Sequence, residues 1–213
     1  MQSIVTLEYG RYYHIFNCGI NGTSLFKEKE NYEYFLMLYD KYISCIAETY
    51  AWCLMPNHFH LLIQIKEEKN ILPFVIDNSK EKIKRKEFSK EQNIGKKPIP
   101  YRQFSHLFNS YAQALNKREN RHGGLFETPF HRIEVTSQSY FKNLVYYIHY
   151  NPVHHGFVKD MIEYPWSSYL TIISTENYSS NNEKVVGWFN NKEEFITYHS
   201  NDNTIYLPDL FLE

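Results

Sequence analysis

The stretch Trp52-Cys53-Leu54-Met55-Pro56-Asn57-His58-Phe59-His60-Leu61-Leu62-Ile63-Gln64-Ile65 constrains this chain more than any other. It reads as two strands, Thr49 to Met55 and His58 to Lys66, meeting at a Pro56-Asn57 turn. Strand side chains alternate between faces, so Phe59, Leu61, Ile63 and Ile65 make one face wholly apolar. His58 and His60 share the other face, about 7 Å apart by strand rise, within reach of one ion. A strand anchored by its apolar face would hold both rings rigidly. By itself His-x-His is a weak signal. Ten His in 213 residues can produce one by chance, and two half-exposed strand histidines are the plainer reading.

A second segment supplies partners. Ser137 to Asn151 reads as a helix with Thr136 or Ser137 as N-cap. Pro152 disfavours a helical residue before it, which sets the expected end near Asn151. Phe141, Leu144, Val145 and Ile148 recur at i, i+3, i+4, i+7 and form the core stripe. Tyr147 and Asn151 are spaced i, i+4 and share the stripe's edge, where a site between helix and sheet would lie. The plainer reading makes Tyr147 packing and Asn151 a C-terminal cap. Tyr111 is the alternative nucleophile, on a helix from Phe104 to Arg118, but Asn116 follows it by five residues and falls on a different face.

The remaining chain alternates in type. Arg11 to Cys18 reads as a strand, Gly19 to Gly22 as a turn, and Asn31 to Ala47 as a helix. A helix is expected over Leu72 to Lys86, a loop over Ser89 to Pro100, and a strand over Phe130 to Val135. This order predicts an α+β fold, a ferredoxin-like antiparallel sheet with helices packed on one face. The pattern divides the chain into a domain over 1–170 and a C-terminal helical appendage over 171–213. There Glu176 to Glu183 reads as polar and mobile, and Val185 to His199 as one helix.

Three cysteines, Cys18, Cys45 and Cys53, form no pattern and point to a reducing, cytoplasmic setting without disulfides. Cys53 joining the two His in a zinc site is disfavoured, since it precedes the Pro56 turn and no C-x-x-C accompanies it. The start has neither a basic flank nor a long apolar run, so no signal peptide or membrane span is expected. A net charge of −1 argues mildly against nucleic acid. Local distribution argues for it: Lys82, Lys84, Arg85, Lys86, Lys96, Lys97 and Arg102 make one basic stretch, suited to phosphate contact or simply to a solvated helix end. Among 19 Tyr and 15 Phe, some rings could stack on unpaired bases.

Five pieces occur in a family's order and spacing over roughly residues 10–170: Tyr13-His14-Ile15-Phe16-Asn17, Met55-Pro56-Asn57-His58-Phe59-His60-Leu61-Leu62, Gly124-Leu125-Phe126-Glu127, Tyr147-Ile148-His149-Tyr150-Asn151-Pro152-Val153 and Trp166-Ser167-Ser168-Tyr169. In these the chain resembles the IS200-like single-tyrosine (HUH-type) transposases, and more closely the REP-associated tyrosine transposases. The resemblance implies a metal-dependent transposase and endonuclease with His58, His60 and Asn151 as ligands of Mg²⁺ or Mn²⁺. It implies Tyr147 as nucleophile, a 5′-phosphotyrosine intermediate, and single-stranded DNA as partner, including hairpin or repeat DNA. Insertion-sequence members usually carry Gln where this chain has Asn151. The REP-associated branch implies a monomer, with a homodimer as the alternative. A domesticated nucleic-acid-binding protein with little activity, and an unrelated metal-dependent hydrolase, are the competing functions.

Overall fold

The structure, a computed structural model, describes residues 5–73, 95–174 and 179–201. Strand β1 (Tyr12–Cys18) leads through a short 3₁₀ turn to helix α1 (Lys29–Ile43). Strands β2 (Ala47–Met55) and β3 (His58–Ile65) form the expected hairpin. Helix α2 (Pro100–Glu119) and strand β4 (His131–Val135) complete a β-α-β-β-α-β unit. The sheet is antiparallel, in the order β2-β3-β1-β4. The ferredoxin-like α+β reading therefore holds.

Both faces of the sheet are covered, and here the expectation of helices on one face is corrected. Helices α1 and α2 cover the face of Tyr13, Ile15, Phe59, Leu61 and Ile63, with Phe59 packed between Phe35 and Phe108 at ring distances of 5.3 and 5.8 Å. The opposite face carries a second core of Cys53, Met55, Leu62 and Val135, closed by helix α3 (Gln138–His154). Three further helices, α4 (Tyr169–Ile173), α5 (Ser180–Trp188) and α6 (Lys192–Ser200), add Ile172, Val185 and Phe195 to that same core, with Phe189, the C-cap of α5. The C-terminal helical segment is thus packed into the molecule, its apolar side chains removed from water with those of α3.

Local chemistry explains where boundaries differ from expectation. Helix α1 begins at Lys29, where Asn31 Oδ1 accepts the N–H groups of Lys27 and Glu28, and it stops before Ala47, which opens β2. Helix α3 starts after Ser137, whose Oγ accepts the Tyr140 N–H, but runs through Pro152 to His154. Proline removes only one helical donor, and burial of Asn151 and Pro152 favours continuing the last turn. Ser179 and Ser180–Glu183 are no mobile tract but the N-cap and first turn of α5, with Ser179 Oγ accepting from Asn182 N–H. The single helix expected from Val185 is two, because Asn190 adopts φ 73° and Asn191 caps α6 through Glu194 N–H. The helix expected over Leu72 to Lys86 lies almost wholly outside the described residues. Among these, no helix is long and apolar enough to cross a membrane.

A buried polar chain ties the second core together. His199 Nδ1–H donates to the Phe195 carbonyl, which leaves its Nε2 to accept from His149 Nδ1–H. His149 Nε2 then accepts from Ser168 Oγ, and Ser168 Oγ accepts the Trp52 N–H of β2. With both imidazoles neutral, each group in this polar chain has a partner. Burial pushes the His199 pKa down from 6.5 to about 4, opposed by the Phe195 carbonyl. An unfolded chain therefore binds a proton on His199 between pH 6.5 and 4 that the folded chain does not. This residue should remove roughly 3 kcal/mol of stability as pH falls through that window. Urea unfolding at pH 7.5 and 4.5 checks this, and His199→Gln, which still accepts from His149 but cannot ionise, should reduce the dependence and leave the share of the other buried imidazoles, His149 and His14.

Candidate active site

The antiparallel register sets one row of side chains across the sheet on the α3 face: Cys53, His60, Phe16 and His131. His60 and Phe16 stack at 5.6 Å, and Phe16 and His131 at 4.7 Å with planes 10° apart. His58 lies one pleat along β3, its ring 5.3 Å from that of His60 and edge-on to it. His14, two residues before Phe16 on β1, stacks on both Phe16 and His60. Sequence reasoning quoted His14 but gave it no role. The signal available was its period-2 relation to Phe16, which only the register turns into a contact with His60.

Helix α3 delivers the other half. Tyr147, Asn151 and His155 follow one another at one-turn intervals, near one face of the helix. The Tyr147 ring stands edge-on to His60, with ring centres 5.3 Å apart. His155 sits 5.0 Å from His58. Asn151 is thereby placed between the helix contacts to His60 and to His58. The sequence-predicted Tyr147, His58, His60 and Asn151 converge on one region, all from a single chain. A cavity of about 270 Å³ opens beside the two imidazoles, lined among others by His58, His60, Phe16, Glu127, His131 and His155 but not by Tyr147 or Asn151.

The hydrogen bonds define the ring nitrogens. Asn57 Oδ1 can only accept, so His58 donates from Nδ1 at 2.7 Å and carries its lone pair on Nε2. His60 Nδ1 meets His14 Nε2 at 3.0 Å. Burial, with His60 and His131 adding to it, holds the His14 pKa well below its usual value and keeps this ring neutral. A neutral His14 accepting from His60 Nδ1–H would leave His60 with a lone pair on Nε2, the arrangement a ligating imidazole requires. Asn151 is 1% exposed, yet neither side-chain polar atom has a hydrogen-bond partner among the described residues. A buried amide without partners carries a desolvation penalty that a ligand to its oxygen would relieve. Two imidazoles and one amide are therefore the donors that fit a divalent ion. Among the described residues no three His, Cys, Asp or Glu side chains are set to hold one.

Other candidates fall elsewhere. Cys53 lies across from His60, but burial raises its thiol well above the usual range and keeps it protonated. Tyr111 is in the opposite core, 1% exposed, its hydroxyl donating to the Leu25 carbonyl at 2.6 Å, and burial raises its pKa strongly. Lys82, Lys84, Arg85 and Lys86 lie outside the described residues. Lys97 bonds the carbonyl of Glu68, past the end of β3 that is far from His58. Arg102 stands exposed in the first turn of α2 beside Tyr101. Neither these two nor Lys96 lines the cavity.

The fold and this convergence define a class: an α+β sheet presenting paired imidazoles to a helix tyrosine. Comparison with known proteins carries the assignment further. No protein-family model matches the chain. In sequence it is 30% identical over 131 residues to a Haemophilus influenzae protein named "Putative REP-associated tyrosine transposase". That match covers 62% of this chain and 64% of the relative, so it spans somewhat less than two thirds of the relative's length. In structure the chain is similar to a REP-associated tyrosine transposase solved bound to a REP hairpin, with TM-score 0.60, 16% identity, and coverage of 84% of this chain and 88% of that one. The resemblance to the IS200-like single-tyrosine transposases, and to their REP-associated branch, thus holds in sequence and in fold.

The two tyrosines should separate by stability. Tyr111→Phe strands a buried carbonyl and should lower the unfolding free energy by roughly 1–2 kcal/mol. Denaturant melts of the single variant check this, and an unchanged midpoint would remove the Leu25 hydrogen bond from the account.

Proposed function

We propose that this chain is a metal-dependent transposase-type endonuclease that cleaves and rejoins single-stranded DNA through Tyr147. One observation carries the reading: the Tyr147 ring stands against His60 while, one turn on, the buried Asn151 amide has no partner among the described residues. A divalent ion on His58, His60 and Asn151 would neutralise charge on the scissile phosphate and orient it. Two imidazoles and an amide suit Mn²⁺ in solution, while Mg²⁺ is the more available ion in cells.

In this mechanism Tyr147 Oη attacks the phosphorus in line. The P–O3′ bond breaks, and the proton lost by the phenol ends on the departing 3′-hydroxyl. The product is a 5′-phosphotyrosyl ester. That ester conserves the phosphodiester's bond energy, so a 3′-hydroxyl can attack it and restore Tyr147, rejoining strands. His58, His60 and Asn151 would hold the ion that orients the phosphate, and α3 carries the Tyr147 ring against His60. The hairpin bound by the structural neighbour supports a substrate with unpaired DNA beside a stem.

Tyr147→Phe should abolish a covalent adduct with labelled single-stranded DNA and leave binding and folding nearly unchanged. His58→Ala and His60→Ala should each lose metal-dependent cleavage. Full cleavage in excess chelator would remove the metal from the mechanism.

In this reading the protein is a monomer acting alone, with Tyr147 beside the His60 of its own chain. Mixing Tyr147→Phe protein with His58→Ala protein should then restore no cleavage, and the mass should be independent of concentration. Restored cleavage would show that two subunits share each site.

A further inference from the structure

The cavity holds two groups that the mechanism does not use. His131 opens β4, the edge strand of the sheet, and is only partly buried. Its ring extends the His60–Phe16 stack outward by one member, and its nitrogens make no hydrogen bond to the protein among the described residues. Glu127 is held by its main chain: its N–H donates to the Cys18 carbonyl at 3.0 Å, and its carbonyl accepts from Asn17 Nδ2 at 3.1 Å. Glu127 is exposed, is one of the residues lining the cavity, and has no ion pair among the described residues.

An unpaired carboxylate carried on a held main chain would repel phosphate and is poorly placed for backbone contact. It is well suited to accept from an amino group on a base edge, as acidic side chains accept from cytosine N4. A flat imidazole backed by a buried phenyl ring is a stacking surface for any base. We propose that the cavity is a subsite for one unpaired base adjoining the scissile phosphate, stacked on His131 and read by Glu127, which selects an amino-bearing base over thymine. The proposal rests on the reading of this chain as acting on single-stranded DNA and adds to it the groups that choose where the strand is cut. Thymine has no exocyclic amine and its one ring N–H lies between two carbonyl oxygens, so a carboxylate at its edge meets an acceptor beside the only donor, which disfavours its entry.

The test uses the full chain with Mn²⁺ and a pool of random-sequence single-stranded DNA. Covalent adducts and the released 3′-hydroxyl fragments are recovered and the bases on both sides of the cut are sequenced. Thymine should be depleted at one fixed position, and Glu127→Gln should relax that depletion. An oligonucleotide from the enriched set is then made with the selected base or with an abasic residue there. His131→Ala should lower affinity roughly ten-fold for the intact strand and not for the abasic one, and His131→Phe should restore it. Thermal melts of both variants establish that the fold is retained. Adducts without base preference, or an equal His131→Ala effect on intact and abasic strands, would overturn the subsite while leaving the cleavage reading intact. Absence of any adduct from the wild-type chain would overturn that reading and the subsite with it.

Discussion

The site depends on a strand buried on both faces. On one face of β3, Phe59, Leu61 and Ile63 are locked into the α1–α2 core. On the other, His58 and His60 lie 6% and 1% exposed beneath α3. Imidazoles cannot be left so dry without partners, because an unsatisfied ring nitrogen costs about as much as the hydrogen bond it lacks. Asn57 and His14 answer that requirement at the Nδ1 positions. The same two bonds fix the orientation of both rings, so one nitrogen of each is satisfied by the contact that also makes the pair rigid.

Helix α3 faces the same problem in reverse. It must hold Tyr147 and Asn151 toward the sheet while its own position is set from behind. His149, two residues from each, points to the far side and joins α6 through His199 and β2 through Ser168. Tyr198 adds a bond to Asn143 at 2.7 Å, and Tyr164 donates to the Leu54 carbonyl at 2.8 Å. The C-terminal helices thus act on the site without touching it. They fix the height of α3 over the sheet, which decides the distance between a phenol and an imidazole row.

Much of this was legible where a single element carries the information. The two-residue period of β3 assigned its faces, and the four-residue spacing of Tyr147 and Asn151 assigned theirs. What the chain concealed depended on contacts between elements far apart in sequence. His14 acquires a role only when β1 pairs with β3, and His131 only when β4 pairs with β1. The break at Asn190 is a single left-handed residue that apolar spacing alone does not register. The passage of α3 through Pro152 shows burial overriding a local preference that reads clearly from the dipeptide. The basic stretch is a different case. Charge is readable from composition but its location is not: Lys96, Lys97 and Arg102 do not line the cavity, and the other members lie outside the described residues.

Asn151 shows how these levels meet. An alanine or leucine there would pack against the sheet at no polar cost, whereas the amide sits buried with no partner for either atom among the described residues. Such a group costs on the order of 1–3 kcal/mol and persists only where surrounding packing over-determines it. The surroundings do so: Leu144, Val145 and Ile148 precede it in the core, Pro152 follows it, and the His149 chain clamps the same turn. Unpartnered buried polar groups concentrate where a ligand completes them. The packing of α4, α5 and α6 onto α3 can therefore be understood as stability that offsets the strain of presenting an unsatisfied amide beside a tyrosine and two imidazoles.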